Sequence, residues 1–363
     1  PALKPEGYVW NIDDYRSKVS FELKSTTFPR TTIKYYSSTW ANIGKKLWED
    51  SDYGGQTKKG GLFKDEIEKQ ETNKENALKI LSLIKSKVKW NEQNRFSPND
   101  NLKKILKDGI GNSSDINFLY INALKTAGFE AYPVMLSTRD NGRLPITSPT
   151  LTLLNNTITA IKIDTMMYYT DASDKYGSLN ILPNKCMVDQ ALILKENKVK
   201  WVNLSNITRG TTFIRGTFKY NDNKLSGDII VERKSQDAYT FKSHYNENYK
   251  SEEEYLEKLS ADLNYEISNF TLNNNDIHSD ENIISKYTVS KDASLDEEFL
   301  YINPLLIRLF NENPFHSEKR LYPVQFNNIS NFIEMIDIEI PEGYVVEELP
   351  ASERYLLGHD KSL

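Results

Sequence analysis

GNSSDINFLYINALKTAGFEAYPV, residues 111–134, is the stretch that decides how this chain folds. Asn112 is a good helix N-cap, because its side chain can accept from the free N–H groups of a first turn. Ile116, Leu119, Tyr120, Ala123, Leu124 and Ala127 then recur three or four residues apart and make one apolar stripe. Gly128 ends it, since glycine enters the left-handed conformation without a Cβ penalty. The chain turns strand-like from Ala131 to Ser137. A helix over 113–127 that feeds a strand is therefore expected.

Outward from that point, helix signals dominate upstream and strand signals downstream. Ala77, Ile80, Leu81, Ile84 and Val88 share a helix face, and Leu102, Ile105 and Leu106 mark a shorter helix stopped by Gly109. Ser38 or Thr39 can cap another that carries Trp40, Ile43, Leu47 and Trp48, and Val19, Phe21 and Leu23 alternate as a strand would. Downstream, Thr157–Ile163 and Tyr168–Asp171 read as strands joined by a hairpin at Asp164-Thr165, which lacks the favoured glycine. Helices followed by a run of strands indicate an α+β class rather than alternating α/β. From about residue 206 the texture is β. Thr211–Tyr220 and Gly227–Arg233 flank Asn221-Asp222-Asn223, and further strands are expected over Ile283–Val289, Phe299–Ile302 and Phe332–Ile340. Ser251–Leu263 interrupts them as one helix, so a sandwich-like domain is expected. The expected division is a lead-in over 1–62, a helix-on-sheet core over 63–205 and a β-rich domain over 206–363.

Composition limits what such a protein can do. In 363 residues, 46 Lys and Arg face 51 Asp and Glu, a net charge of −5, which argues against a broad nucleic-acid surface. No run approaches the ~20 apolar residues of a membrane span. The opening residues Pro1-Ala2-Leu3-Lys4-Pro5-Glu6 lack the parts of a signal peptide and read as the interior of a longer chain. The single cysteine, Cys186, excludes an internal disulfide.

The residue inventory also narrows the chemistry. The four histidines, His244, His278, His316 and His359, all lie in the C-terminal half, so the helix-plus-strand region has no imidazole base of its own. Cys186, in a loop after Leu182-Pro183-Asn184-Lys185, reads as a small apolar filler. Asp171-Ala172-Ser173-Asp174 could face calcium, yet the twelve-residue calcium loop is absent and turn chemistry is the better reading. No glycine-rich nucleotide motif occurs. Gly109-Ile110-Gly111-Asn112 reads as a turn feeding an N-cap rather than an anion site, and Lys85–Trp90 as a solvated helix face. No cofactor and no metal are expected.

Residues 109–194 resemble the transglutaminase-like core of the papain-like cysteine enzymes. The resemblance is carried by Gly111-Asn112-Ser113-Ser114-Asp115, by Leu124 through Val134, by Asn155-Asn156-Thr157-Ile158 and by Tyr169-Thr170-Asp171-Ala172-Ser173-Asp174. An active member would read Gly-Asp-Cys-x-Asp at the first motif, Asn-His at the third and Asp-Ala-Thr-Asp at the last. Position by position, the nucleophile falls on Ser113, the base on Asn156 and the orienting acid on Asp171. Ser137 to Asp140 and Leu182 to Cys186 extend the likeness to a bacterial subgroup with β-rich domains of unknown function on either side. Asn303-Pro304, Asn313-Pro314-Phe315, Arg320-Leu321-Tyr322-Pro323-Val324 and Ile340-Pro341-Glu342-Gly343-Tyr344 resemble its trailing domain, and residues 13–60 the join from the leading one.

The resemblance implies an enzyme fold whose chemistry is gone. A serine at a helix start stays neutral without a base, and an amide cannot accept a proton at neutral pH. A non-catalytic binding or scaffold protein is expected, holding a peptide or glycan segment in the degenerate cleft. A periplasmic or secreted location and a place within a larger protein follow from the resemblance alone. The alternatives are a residual hydrolase or transferase acting on peptide amide bonds through Ser113, with His244 or another histidine delivered to it, and a purely structural spacer.

Overall fold

The structure is a computed structural model. It describes residues 4–354 except 5, 20, 22, 24, 36–38, 100, 277–280, 294–298, 300, 303–314 and 316–318. The helices of its first half are α1 (Trp40–Glu49), α2 (Lys74–Lys87), α3 (Leu102–Asp108) and α4 (Ser113–Ala127). Each begins on a side-chain cap: Thr39, Asn73, Asn101 and Asn112 accept from the first-turn backbone. At Asn112 the cap is reciprocal, with Asp115 returning to the Asn112 N–H. Gly109 and Gly128 end α3 and α4 in the left-handed conformation.

Two small pairs come first among the strands: the hairpin β1 (Ser25–Thr26) with β2 (Lys34–Tyr35), and the parallel β3 (Lys89–Trp90) with β4 (Ile110–Gly111). The main sheet follows, built from β5 (Glu130–Leu136), β6 (Asn156–Ile163), β7 (Met166–Thr170), β8 (Ala191–Lys195) and β9 (Lys198–Val202). It is antiparallel throughout, in the order β7-β6-β5-β8-β9. One face packs on α4, and the other is covered by Leu182, Cys186, Met187 and Leu204. Cover on both faces explains why β6 is buried along its length without alternation, its threonines included. α4 is buried on every side apart from Lys125 and Thr126, which makes it the centre of this unit.

The core does not stop at residue 62. Trp40, Ile43, Leu47 and Tyr53 join α4 in one apolar cluster, so residues 40–62 are part of the helix layer rather than a lead-in to it. The strand expected over 19–23 is also absent from the described residues. Val19, Phe21 and Leu23 are exposed and lie outside regular structure, because alternation alone supplies no partner strand.

The second half holds β10 (Gly210–Asn221), β11 (Lys224–Lys234), α5 (Gln236–Asn248), α6 (Glu252–Leu263), β12 (Glu266–Asn273), β13 (Ile283–Asp292) and β14 (Ser330–Ile338). These strands form a separate sheet, β12-β13-β11-β10-β14, in which β14 runs parallel to β10 and every other pair is antiparallel. Asp222 and Asn223, both at positive φ, make the β10–β11 turn. The expected sandwich is corrected here. Among the described residues there is one sheet packed against helices, not two facing sheets. α5 occupies the place of a second layer, with Phe241, Tyr245, Tyr249 and α6 Tyr255 meeting ring to ring. Phe299 is described only as a bridge residue, and Leu300 of the strand expected over 299–302 lies outside the described residues, as do Asn303-Pro304, Asn313-Pro314, His278, His316 and His359.

Candidate functional site

The N-terminus of α4 meets the open end of the β6–β7 hairpin, and four buried polar side chains converge there. Ser113 is the first helical residue. Its N–H donates to Gln93 O at 3.0 Å and its Oγ accepts from Arg95 N at 3.0 Å. The Ser113 hydroxyl in turn donates to Asn156 Oδ1 at 2.6 Å. Asn156 opens β6, and its Nδ2 donates to Cys186 Sγ at 3.2 Å. Cys186 faces Asp171 Oδ2 at 3.7 Å, and Asp171 follows directly on β7. All four residues are 0% exposed. A hydroxyl, an amide, a thiol and a carboxylate thus form a continuous chain.

The hairpin accounts for the convergence. Thr159 pairs with Thr170, so the start of β6 and the residue after β7 leave the sheet at one end, against α4. The structure brings Ser113 and Asn156 into direct contact, while Asp171 reaches Asn156 through Cys186. Asp171 is fixed instead by Asn117 Nδ2 at 2.8 Å, Ser173 N at 3.0 Å and Ser173 Oγ at 2.6 Å, all on Oδ1.

Two members of the site were not among the sequence candidates. Asn117 is 0% exposed on α4, donates also to Ser113 O at 2.9 Å, and accepts from Thr159 Oγ1 and Ala172 N, each at 3.0 Å. Its signal was available: asparagine is a poor helix former, and one set inside an apolar helix needs a polar partner. Cys186 packs among Leu182, Met187 and Ala191 as the small apolar filler expected, and its sulfur also joins Asn156 to Asp171. Loop residues far apart in sequence meet only when the sheet closes, so spacing could not reveal this contact.

A strap seals the site from outside. Between Trp90 and Asn99, Phe96 O accepts from Ser114 Oγ at 3.1 Å and Thr157 Oγ1 at 2.7 Å, and Asn99 N donates to Asp115 Oδ1 at 3.0 Å. Lys185 Nζ donates to Asn94 Oδ1 at 2.9 Å and lies 4.2 Å from the centre of the Trp90 ring. Burial, helped by the Asp171 charge, pushes the Cys186 thiol well above its ordinary pKa, the opposite of an activated nucleophile.

Behind the chain lies a second charged group. Asp174 Oδ1 accepts from Tyr176 N at 3.0 Å and Gly177 N at 2.5 Å, a turn built by the aspartate on its own backbone. Its Oδ2 accepts from Tyr239 of α5 at 3.2 Å. Burial and the neighbouring Asp171 raise the Asp174 carboxyl. Lys85 of α2 donates to Gly177 O at 2.6 Å, and burial brings its ammonium down to about 8. His244 is exposed on α5 and meets the Tyr249 ring. Among the described residues no cluster of His, Cys, Asp or Glu could hold a metal ion, and no helix is long and apolar enough to cross a membrane.

Residues 298–356 match a family described as a domain of unknown function with a solved structure, DUF3858. The match covers the Pro- and Tyr-containing motifs that resemble the trailing domain, and includes β14. The chain is also similar to a solved structure from Parabacteroides distasonis described as a "putative protease", with a TM-score of 0.33 and 12% identity over 57% of this chain. That alignment spans 41% of the other protein, and a likeness so loose carries no argument. No curated protein matches the chain.

Proposed function

We propose that this chain is a non-catalytic transglutaminase-like protein, a binding or scaffold component of a larger extracytoplasmic protein. One observation carries the reading. The Ser113 hydroxyl donates its hydrogen bond to an amide oxygen, Asn156 Oδ1 at 2.6 Å, where an active relative would offer imidazole. An amide is not a base near neutral pH, and loss of the base alone removes several orders of magnitude in rate. Complete burial of Ser113 and the strap of residues 90–99 support the same reading, since a substrate would have to displace both. The membership and the extracytoplasmic location rest on the sequence resemblance.

The test is turnover. Purified protein, assayed with peptide amide, ester and amine-transfer substrates, is expected to match its own Ser113→Ala variant. Turnover that disappears in Ser113→Ala would overturn the proposal. Turnover that survives that change but disappears in Cys186→Ser would move the chemistry to the thiol and overturn it as well.

A further inference from the structure

Arg139 has no part in the chain from Ser113 to Asp171, yet it is a buried guanidinium, 8% exposed, in the short turn that follows β5. Inward, its Nε donates to Met187 O at 2.8 Å. Met187 is the residue after Cys186, in a tight turn closed by Cys186 N to Pro183 O at 2.8 Å and Met187 N to Asn184 O at 3.2 Å. Outward, Nη2 donates to Asn327 O at 2.9 Å and Nη1 to Asn327 Oδ1 at 3.3 Å. The guanidinium also lies 3.8 Å from the centre of the Trp10 ring.

The two outer partners are themselves joined. Trp10 N donates to Gln325 Oε1 at 2.9 Å, Trp10 Nε1 to Phe326 O at 3.2 Å, and Gln325 N to Tyr8 O at 2.8 Å. Residues 8–10 and 325–327, from opposite ends of the described chain, therefore arrive as one paired unit. Of its contacts with the main-sheet unit, the group that also grips the cysteine turn is Arg139. A planar guanidinium can do this because its donors point in fixed, divergent directions, which an ammonium cannot reproduce.

We propose that Arg139 is a latch: docking of the paired segments 8–10 and 325–327 holds the turn around Met187, and so keeps Cys186 sealed. When those segments leave, Arg139 loses its outer acceptors and its ring cover, and its hold on Met187 O weakens. Accessibility of the Cys186 sulfur then reports the docking of segments that never touch it. The inference concerns closure and holds whether or not Ser113 has any chemistry.

The experiment is methylthiolation of Cys186, the single thiol, by methyl methanethiosulfonate in the folded full chain, the mixed disulfide read by mass, with hydrogen exchange in parallel. Wild type is expected to react slowly. Arg139→Ala and Arg139→Lys are expected to react roughly ten- to a hundredfold faster, the scale of one lost charge-assisted hydrogen bond on a local opening. Trp10→Ala/Asn327→Gly, which leaves Arg139 in place, is expected to move the same way by a smaller factor. Exchange should rise at 184–188 and stay protected in helix 113–127. A wild-type rate in Arg139→Ala overturns the proposal. So does an unchanged rate in the double variant, since Arg139 would then act on Met187 alone. Loss of protection across helix 113–127 also overturns it, because exposure would then come from unfolding.

Discussion

Replacing Asn117 tests whether the buried polar chain is as closed as its geometry requires. The amide makes four hydrogen bonds, to Ser113 O, Asp171 Oδ1, Thr159 Oγ1 and Ala172 N. Asn117→Ala leaves the Ala172 N–H without its acceptor and takes one donor from the Asp171 carboxylate, at a site with no exposure. An orphaned buried donor costs about 1–3 kcal/mol and a charged acceptor more, so the loss should total about 3–5 kcal/mol. Asn117→Asp keeps the shape but sets a carboxylate oxygen where an N–H now donates to Asp171 at 2.8 Å. Two carboxylates so close cannot both ionise cheaply, and one of the pair takes a raised pKa in the folded state. A folded pKa above the unfolded value means that the folded protein binds the extra proton first. The penalty of this variant should therefore be full at pH 7 and shrink on acidification. Four of the five tryptophans, at 40, 48, 90 and 201, pack in or against the first core, so indole fluorescence in a urea titration follows mainly the first unit. A fall of less than about 1 kcal/mol in Asn117→Ala would refute the reasoning, because it would mean that water reaches these groups. So would an Asn117→Asp penalty that is the same at pH 5 and pH 7.

Lys85 makes a separate pH signature. Its folded pKa of about 8 lies below the ordinary 10.5, so the unfolded chain binds more protons between those values. Stability relative to Lys85→Met should rise with pH across that window and be flat below it, as measured by paired urea titrations; a falling difference would reverse the assignment. At Gly54 an added Cβ would overlap the backbone carbonyl of Trp48, which cannot swing aside as a side chain would. Gly54→Ala should therefore cost about 1–3 kcal/mol in thermal or urea unfolding, and a neutral result would show that the turn after α1 is free to move.

Local signals carried far in this chain. Asn112, Gly109 and Gly128 bound α3 and α4 correctly, because a cap is a contact within a few residues. The hairpins at Asp164 and at Asp222-Asn223 were legible without glycine, since Asp and Asn tolerate positive φ. Ser113, Asn156 and Asp171 could be singled out by motif order, and the β6–β7 hairpin explains why they end near one another. What failed was tertiary. α5 is rich in Tyr, Thr and Phe, residues that suit strands as well as helices, and its stripe is aromatic contact with α6 rather than a clean apolar face. Cys186, Asn117 and Arg139 owe their roles to partners 15 to 188 residues away, at Asp171, Asn156 and Asn327 among others. Val19, Phe21 and Leu23 show the converse, an alternating pattern that lies outside regular structure among the described residues.

The parallel pairing of β10 with β14 bears on how the protein is made. The first sheet has all its strands by Val202, and its register is set by hairpins and by neighbours already present. As the chain leaves the ribosome, that unit can assemble while the rest is still being synthesised. The second sheet cannot finish in this order. Gly210 must wait for Ser330, and until β14 arrives the free edge of β10 stands unpaired. Closing a loop of that length is slow, and a nascent edge strand is the place where two growing chains would stick to each other. Translation stalled before residue 330 should thus give soluble first units joined through misassembled second ones, a failure located in time rather than in any weak contact of the finished molecule.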